Sequence, residues 1–419
     1  MKEKYLVINA GSSSLKFSLY DMPEAKEIVN GYVEKIGSED SFYTLKYDGK
    51  KEEKVKYIPD HTEAVHTMLD ELLDNGFIQN ADEIKGIGHR IVHGGEFYSE
   101  PTLIDDDVLK NIKSLTKLAP LHHPGEIAGI KSMQKCLPDV PQVAIFDTAF
   151  HQTIPQENYL FAVPYEWYLE NGVRKYGFHG TSHKYITEKM KEYYDRDDVN
   201  LIICHIGSGA SVSCIKNGKC YDTTMGLTAL DGIIMGTRSG SIDPSIVEYI
   251  CKERGYSLEE TTKILNLHSG LLGIAGKNDF RDLEEMAKNG NKNAKLAIEM
   301  LKNSIIKYIA QYYFELDGKV DSLVFTAGIG ENAINLRKEI VDSISDPTGI
   351  KLDENANKTI AKYLDKKSGV ITTDDSKFDV VVLPTDEEYM ILKDTYDVVK
   401  NRNNTKEKSA KGKVRLLSK

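Results

Sequence analysis

The chain has 419 residues, more than one hydrophobic core accommodates, and fits two domains of ordinary size. A formal net charge of −10 argues against nonspecific nucleic-acid binding, and the longest apolar runs fall far short of the roughly 20 residues that a membrane helix needs. The start, MKEKYLVINAG, has no secretory h-region, and the five cysteines include no Cys-x-x-Cys pair, so a cytoplasmic protein with buried free thiols is expected.

Residues 5–21, YLVINAGSSSLKFSLYD, read as strand, tight loop, strand. Asn9 ends the first apolar run with a neutral oxygen, Gly11 permits close backbone approach, Ser12 to Ser14 offer hydroxyls and N–H groups, and Lys16 adds a point charge. That set suits a phosphate chain and its metal, although a plain Ser-rich hairpin turn is the alternative. Residues 23–60 alternate short strands with turns, and Ala64, Val65, Met68, Leu69 and Leu72 predict a helix over 62–75. In IKGIGHRIVHGGEFY a strand delivers Arg90 to a Gly94-Gly95 turn, where its fork would match a carboxylate or form a surface ion pair. Helices are predicted within 105–136, and VAIFDTAFH then sets Asp147 at the end of a buried strand, as a helix cap or as a group orienting an acceptor or metal.

Further on, His179 stands between Phe178 and Gly180, and His183 reads as a polar residue before a helix over 184–195. The grammar of the first hairpin returns in LIICHIGSGASVSCI at 201–215. Residues 222–245 are glycine-rich around one basic residue, Arg238, which is costly to bury without an anion. A helical block over 245–317 contains Asp279-Phe280-Arg281, and LVFTAGIGEN makes a third strand-to-glycine junction at Gly328-Ile329-Gly330. Glu387 follows another apolar run and opens a helix predicted to end near 400. Beyond it, residues 401–419 are basic, lack apolar periodicity and are expected to be a disordered tail. Three such junctions suggest a duplicated architecture with a nucleotide between its halves.

The stretches INAGSSSLKF, GHRIVHGGE, FDTAFH, RKYGFHGTSH, MGTRSG and FTAGIGEN resemble, in similar order from residue 5 to about 390, those of the acetate kinase (acetokinase) family. The resemblance implies an α/β fold of two duplicated actin-like (ribonuclease H-like) domains with a nucleotide cleft. Their expected bounds are 1–148 plus 387–400, and 149–386. It also implies a homodimer that transfers phosphoryl reversibly between ATP and acetate, giving acetyl phosphate and ADP with Mg2+ or Mn2+. Carried over residue by residue, Asn9 and Glu387 would hold the metal. Ser14, Lys16, His205, Gly207, Ser208, Gly209, Asp279, Phe280, Arg281, Gly328, Ile329, Gly330, Glu331 and Asn332 would meet the nucleotide. Arg90 and Arg238 would grip the acceptor carboxylate, His179 and Arg238 the phosphoryl in flight, and Asp147 would orient these groups. Val92, Leu121, Phe178 and Ala229 would line the acyl pocket.

The chain departs from the family pattern at several positions. His123 and Glu126 stand where Asn is usual, Ser208 replaces Asn, and Ala229 replaces Pro. The loss of the proline ring widens the expected pocket toward propionate. Ser208 keeps pyrophosphate open as the donor, and an actin-like nucleotide-binding scaffold is the non-kinase alternative.

Overall fold

The structure, a computed structural model, describes residues 3–360 and 369–417, with side chains through residue 402. The chain divides into two units, Met1–Ala149 with Asp386–Lys419, and Phe150–Thr385.

In the first unit the strands are β1 (Glu3–Ala10), β2 (Ser14–Met22), β3 (Lys26–Glu34), β4 (Phe42–Tyr47), β5 (Lys50–Val55), β6 (Ile84–Ile91), β7 (Thr102–Leu103) and β8 (Gln142–Phe146), ordered β5-β4-β3-β2-β1-β6-β8-β7. The first five form an antiparallel meander, while β6 runs parallel to β1 and β8 parallel to β6. The period of two in a strand sends alternate residues to opposite faces. Leu6, Ile8 and Ile87 pack beneath helices His61–Asp74 and His123–Cys136, and Tyr5, Val7, Val143 and Ile145 pack against helix Glu387–Leu417. Glycine lets that last helix lie on the strand backbone. A Cβ at Gly88 would stand 2.2 Å from Thr395 Oγ1 and 2.9 Å from Ile391 Cγ2.

The second unit repeats the plan with β9 (Leu201–Ile206), β10 (Ala210–Lys216), β11 (Lys219–Thr223), β12 (Ser322–Thr326) and β13 (Asp379–Val382), ordered β11-β10-β9-β12-β13. As in β3-β2-β1-β6-β8, three antiparallel strands adjoin two further parallel ones. Helix Gly180–Tyr194 covers one face through Ile186 and Met190, against Leu201, Ile203, Ile215 and Val324. This is the duplicated actin-like α/β architecture, mixed sheets flanked by helices.

Two expectations need correction. The final helix does not end near 400 but continues to Leu417, because Lys, Arg, Glu and Ala are good helix formers and no proline interrupts them. The side chains of 403–417 and all of 418–419 lie outside the described residues. The five cysteines are free as expected, but Cys136 and Cys251 are only half-buried, unlike Cys204, Cys214 and Cys220.

Candidate active site

Strand register gathers the first group of residues in the first unit. Asn9 pairs with Lys16 across the β1–β2 hairpin, Ile8 aligns with His89, and Arg90 aligns with Ile145. By the alternation of strands, Asn9, Lys16, Arg90 and Asp147 therefore share the face that helix Glu387–Leu417 covers, at the carboxyl ends of the parallel strands. Arg90 Nη2 donates to Asp147 Oδ2 at 2.6 Å, with the Asp147 side chain 3% exposed and that of Arg90 24% exposed. The Asp147 charge holds Arg90 more firmly protonated than usual, while the Arg90 Nε is buried without a partner among the described residues. Glu387, at the first turn of its helix, is pushed up to about 7 by burial and by the negative Asp147, with Arg90 opposing. Its neighbour Glu388 accepts from Ser18 Oγ at 2.6 Å and Tyr20 OH at 3.2 Å, which ties the helix start to β2. The hairpin turn closes by Gly11 N–H donating to the Ser14 carbonyl at 2.8 Å; Ser14 is half-buried and Lys16 exposed. Val92 is buried, whereas Leu121 is 73% exposed within the chain.

The second unit holds the other group. His179 caps helix Gly180–Tyr194 in the left-handed conformation, φ 56°, where a β-carbon is unfavourable, so packing must hold it there. Its ring stacks on His205 with centroids 4.3 Å apart, and Ser182 Oγ lies 2.8 Å from His205 Nδ1. Arg238 Nη1 donates to the Ala229 carbonyl at 3.2 Å and reaches Met235 Sδ at 3.6 Å. No carboxylate pairs with Arg238 among the described residues. A Cβ at Gly209 would stand 3.3 Å from His179 Nε2 and 3.5 Å from Arg238 Nη1, so the two donors converge on the space above this glycine. Phe178 is buried and accepts on its carbonyl from His151 Nε2 at 2.9 Å.

Beside the β9–β10 turn lies a cavity of 540 Å³, lined by residues of all three glycine- or acid-bearing motifs: Gly207 and Ser208, Asp279 to Arg281, and Gly328, Ile329 and Asn332. Asp279 caps its helix through Arg281 N–H at 2.9 Å and pairs with Arg281 Nη2 at 2.6 Å, which holds the Asp279 carboxyl down at about 2. Asn332 Nδ2 donates to the Gly328 carbonyl at 2.7 Å and closes that loop. Gly330 is buried and Glu331 half-buried, and neither lines the cavity. Ala327, at the head of this loop, is left-handed with φ 64°.

Sequence reasoning passed over several members. Asn278 and Glu284 complete the cavity wall, and Arg337, fully buried, donates to the Gly330 carbonyl at 3.0 Å and holds the loop from below. Glu126 is buried in the first unit, accepts from the Val92 N–H at 3.0 Å, and is pushed up to about 8 chiefly by desolvation. A departure from the family pattern was the only signal for Glu126.

The Acetokinase family model matches residues 4–393. An acetate kinase of Geobacillus sp. (strain WCH70) is 48% identical over 394 residues, covering 93% of this chain and 98% of that protein. One of Finegoldia magna is 46% identical over 400 residues, covering 95% and 100%. Among solved structures, Porphyromonas gingivalis acetate kinase superposes with a TM-score of 0.90 at 40% identity, covering 95% of this chain and 100% of that one. A propionate kinase from Francisella tularensis gives 0.87 at 41%, covering 94% and 99%.

Proposed function

This chain belongs to the acetokinase family, and we propose on that premise that it transfers a phosphoryl group between ATP and acetate, giving acetyl phosphate and ADP. The observation that carries the reading is the convergence of His179 Nε2 and Arg238 Nη1 above Gly209, beside a cavity of nucleotide size. Phosphoryl transfer needs little covalent help from the protein. It needs in-line positioning and positive charge on the three equatorial oxygens. A guanidinium held, among the described residues, by a carbonyl and a thioether keeps its remaining N–H donors for an anion. In the first unit, Arg90 offers the planar fork that a carboxylate acceptor fits, and Asp147 holds the fork in place. Acetate arrives ionised and has no proton to lose, so Asp147 orients Arg90 and does not serve as a general base.

Magnesium, when bound, neutralises charge between phosphate oxygens. The residues present fit it: Asp147 and a buried Glu387 share one guanidinium, which leaves that cluster short of positive charge. Asn9 and Glu387 are proposed to hold its coordination sphere with water and phosphate, as magnesium takes few protein ligands. Dependence on ATP supports a cytoplasmic location. Exposed Tyr165, Trp167 and Leu169 on one short helix, and Ile246 and Tyr249 on another, support self-association as a homodimer.

The test is a hydroxamate trap for acyl phosphate, run with ATP or pyrophosphate against acetate and propionate with magnesium. Acetyl hydroxamate with ATP is the expected product. No trapped product from any pair would overturn the reading.

A further inference from the structure

Ser211 sits on β10 opposite His205, fully buried, and its hydroxyl lies between two imidazoles. The Oγ is 3.0 Å from His179 Nδ1 and 2.8 Å from His183 Nε2. We propose that Ser211 and His183 are positioning residues that fix which nitrogen of His179 carries the proton, so that Nε2–H faces the space beside Arg238. The catalytic consequence rests on the phosphoryl-transfer reading, whereas the proton's location does not.

A hydroxyl has one proton to donate, so between two ring nitrogens it donates to one and accepts from the other. Two arrangements result, and His183 decides between them. Its ring is fully buried, with the rings of His151 and His205 at 5.7 and 6.1 Å, and burial holds its pKa well below the ordinary value. A neutral imidazole carries one N–H. The His183 Nδ1 is buried with no hydrogen-bond partner among the described residues, and an orphaned N–H costs more there than a bare lone pair. The proton therefore sits on His183 Nε2 and is donated to Ser211.

Ser211 in turn donates its proton to His179 Nδ1. That leaves the one proton of a neutral His179 on Nε2, the nitrogen 3.3 Å from where a Gly209 Cβ would be. The reverse arrangement would point a lone pair at a phosphoryl oxygen and repel it. The chain His183 Nε2–H, Ser211 Oγ–H, His179 Nε2–H thus runs in one direction only. The side chains of His183 and Ser211 stay behind the His179 ring, so neither is a catalytic residue.

The test uses the full chain labelled with 15N-histidine, the His179 signal being assigned by its loss in His179→Asn. Wild type should show a pyridine-type Nδ1 and a pyrrole-type Nε2 for His179. Ser211→Ala, which removes one buried oxygen, should give a mixture of the two tautomers. Its kcat should fall about 10- to 100-fold while KM for ATP and acetate stays within about twofold, the signature of a misplaced proton with intact binding. His183→Gln keeps a donor near the Nε2 position and should retain most of the activity, whereas His183→Leu should lose as much as Ser211→Ala. A wild-type His179 protonated on Nδ1 overturns the proposal whatever the activity. So does a Ser211→Ala protein with wild-type tautomer and kcat, or equal loss in His183→Gln and His183→Leu.

Discussion

Asp147 stands two residues beyond Ile145, the register partner of Arg90 on the adjacent parallel strand, and a 2.6 Å ion pair joins Arg90 and Asp147. Asp147 is almost wholly buried while Arg90 keeps one edge open, so the carboxylate fixes the guanidinium with its remaining donors outward. Asp147→Asn keeps the shape and removes the charge. It should lower kcat/KM for acetate by two orders of magnitude or more, about 3 kcal/mol, which is the usual cost of breaking a buried charge pair. Arg90→Lys should rescue poorly because a point charge cannot form the fork. Steady-state kinetics check both, and a near-normal Asp147→Asn enzyme would remove Asp147 from the site.

Gly209 lacks the left-handed backbone that strains a side chain, so Gly209→Ala tests the space above it alone. The added methyl would stand within 3.5 Å of both His179 Nε2 and Arg238 Nη1, where a phosphoryl oxygen is expected. Turnover should fall about 100-fold with the melting temperature nearly unchanged. Arg238→Ala should cost about 3–5 kcal/mol of transition-state stabilisation, also without unfolding, because no carboxylate among the described residues loses a partner. A Gly209→Ala enzyme of normal kcat would mean that the donors converge on nothing.

Glu126 predicts a pH dependence of stability. Its pKa in the folded chain, about 8, lies above the 4.5 of a free Glu, so the native state holds the proton more tightly than the unfolded one. The stabilisation is complete below about pH 4.5 and is lost as pH rises through about 8. Burial likewise raises Glu387, to about 7, and adds to the same fall. Glu126→Gln keeps an acceptor for the Val92 N–H and should flatten the upper part of the curve. Parallel curves of melting temperature against pH for the two proteins would refute the assignment.

Ala229 bears on acyl width. Its carbonyl accepts from Arg238, so the residue stands next to the expected carboxylate. Propionate should be used within about tenfold of acetate, since one methylene discriminates by only about 1–3 kcal/mol. Ala229→Pro should shift preference toward acetate, mainly through KM for propionate. An unchanged ratio of kcat/KM would take Ala229 out of the pocket.

Much of this was legible in the residues. The junctions at Asn9, His205 and Gly328 announce themselves because an apolar run ends in glycine, and the second hairpin repeats the first. What puts Asn9, Lys16, Arg90 and Asp147 on one face is the register between strands distant in sequence, which no local pattern encodes. Ser211 was missed because a serine in an alternating strand reads as a solvent-facing residue, whereas here every residue of β10 before Lys216 is buried. Glu126 stood out only as a departure from the family pattern, since a helix sequence does not reveal what will lie over its polar face. His183 read as a first-turn residue, and it does lie in the first turn, but the ring points into the protein.

Gly88 offers the test of how the last helix docks. Gly88→Ala should destabilise by about 1–3 kcal/mol through collision with Thr395, as overpacking does. Gly88→Ala with Thr395→Ala should recover part of that loss in denaturant melts, the Ile391 contact remaining. Additive effects of the two substitutions would mean that the helix does not rest on β6.

That docking also sets an order of events during synthesis. Phe150–Thr385 is continuous in sequence, so the second unit has all its strands once Thr385 has left the ribosome. The first unit is made earlier yet finished later, because Tyr5, Val7, Val143 and Ile145 keep an apolar sheet face uncovered until Ile391, Leu392 and Val399 emerge. At roughly 5–20 residues per second, that face waits some ten seconds or more after Ile145 is added. The newborn chain therefore carries a sticky half-sheet through most of its translation, which makes the opening third of the protein the part most in need of a chaperone.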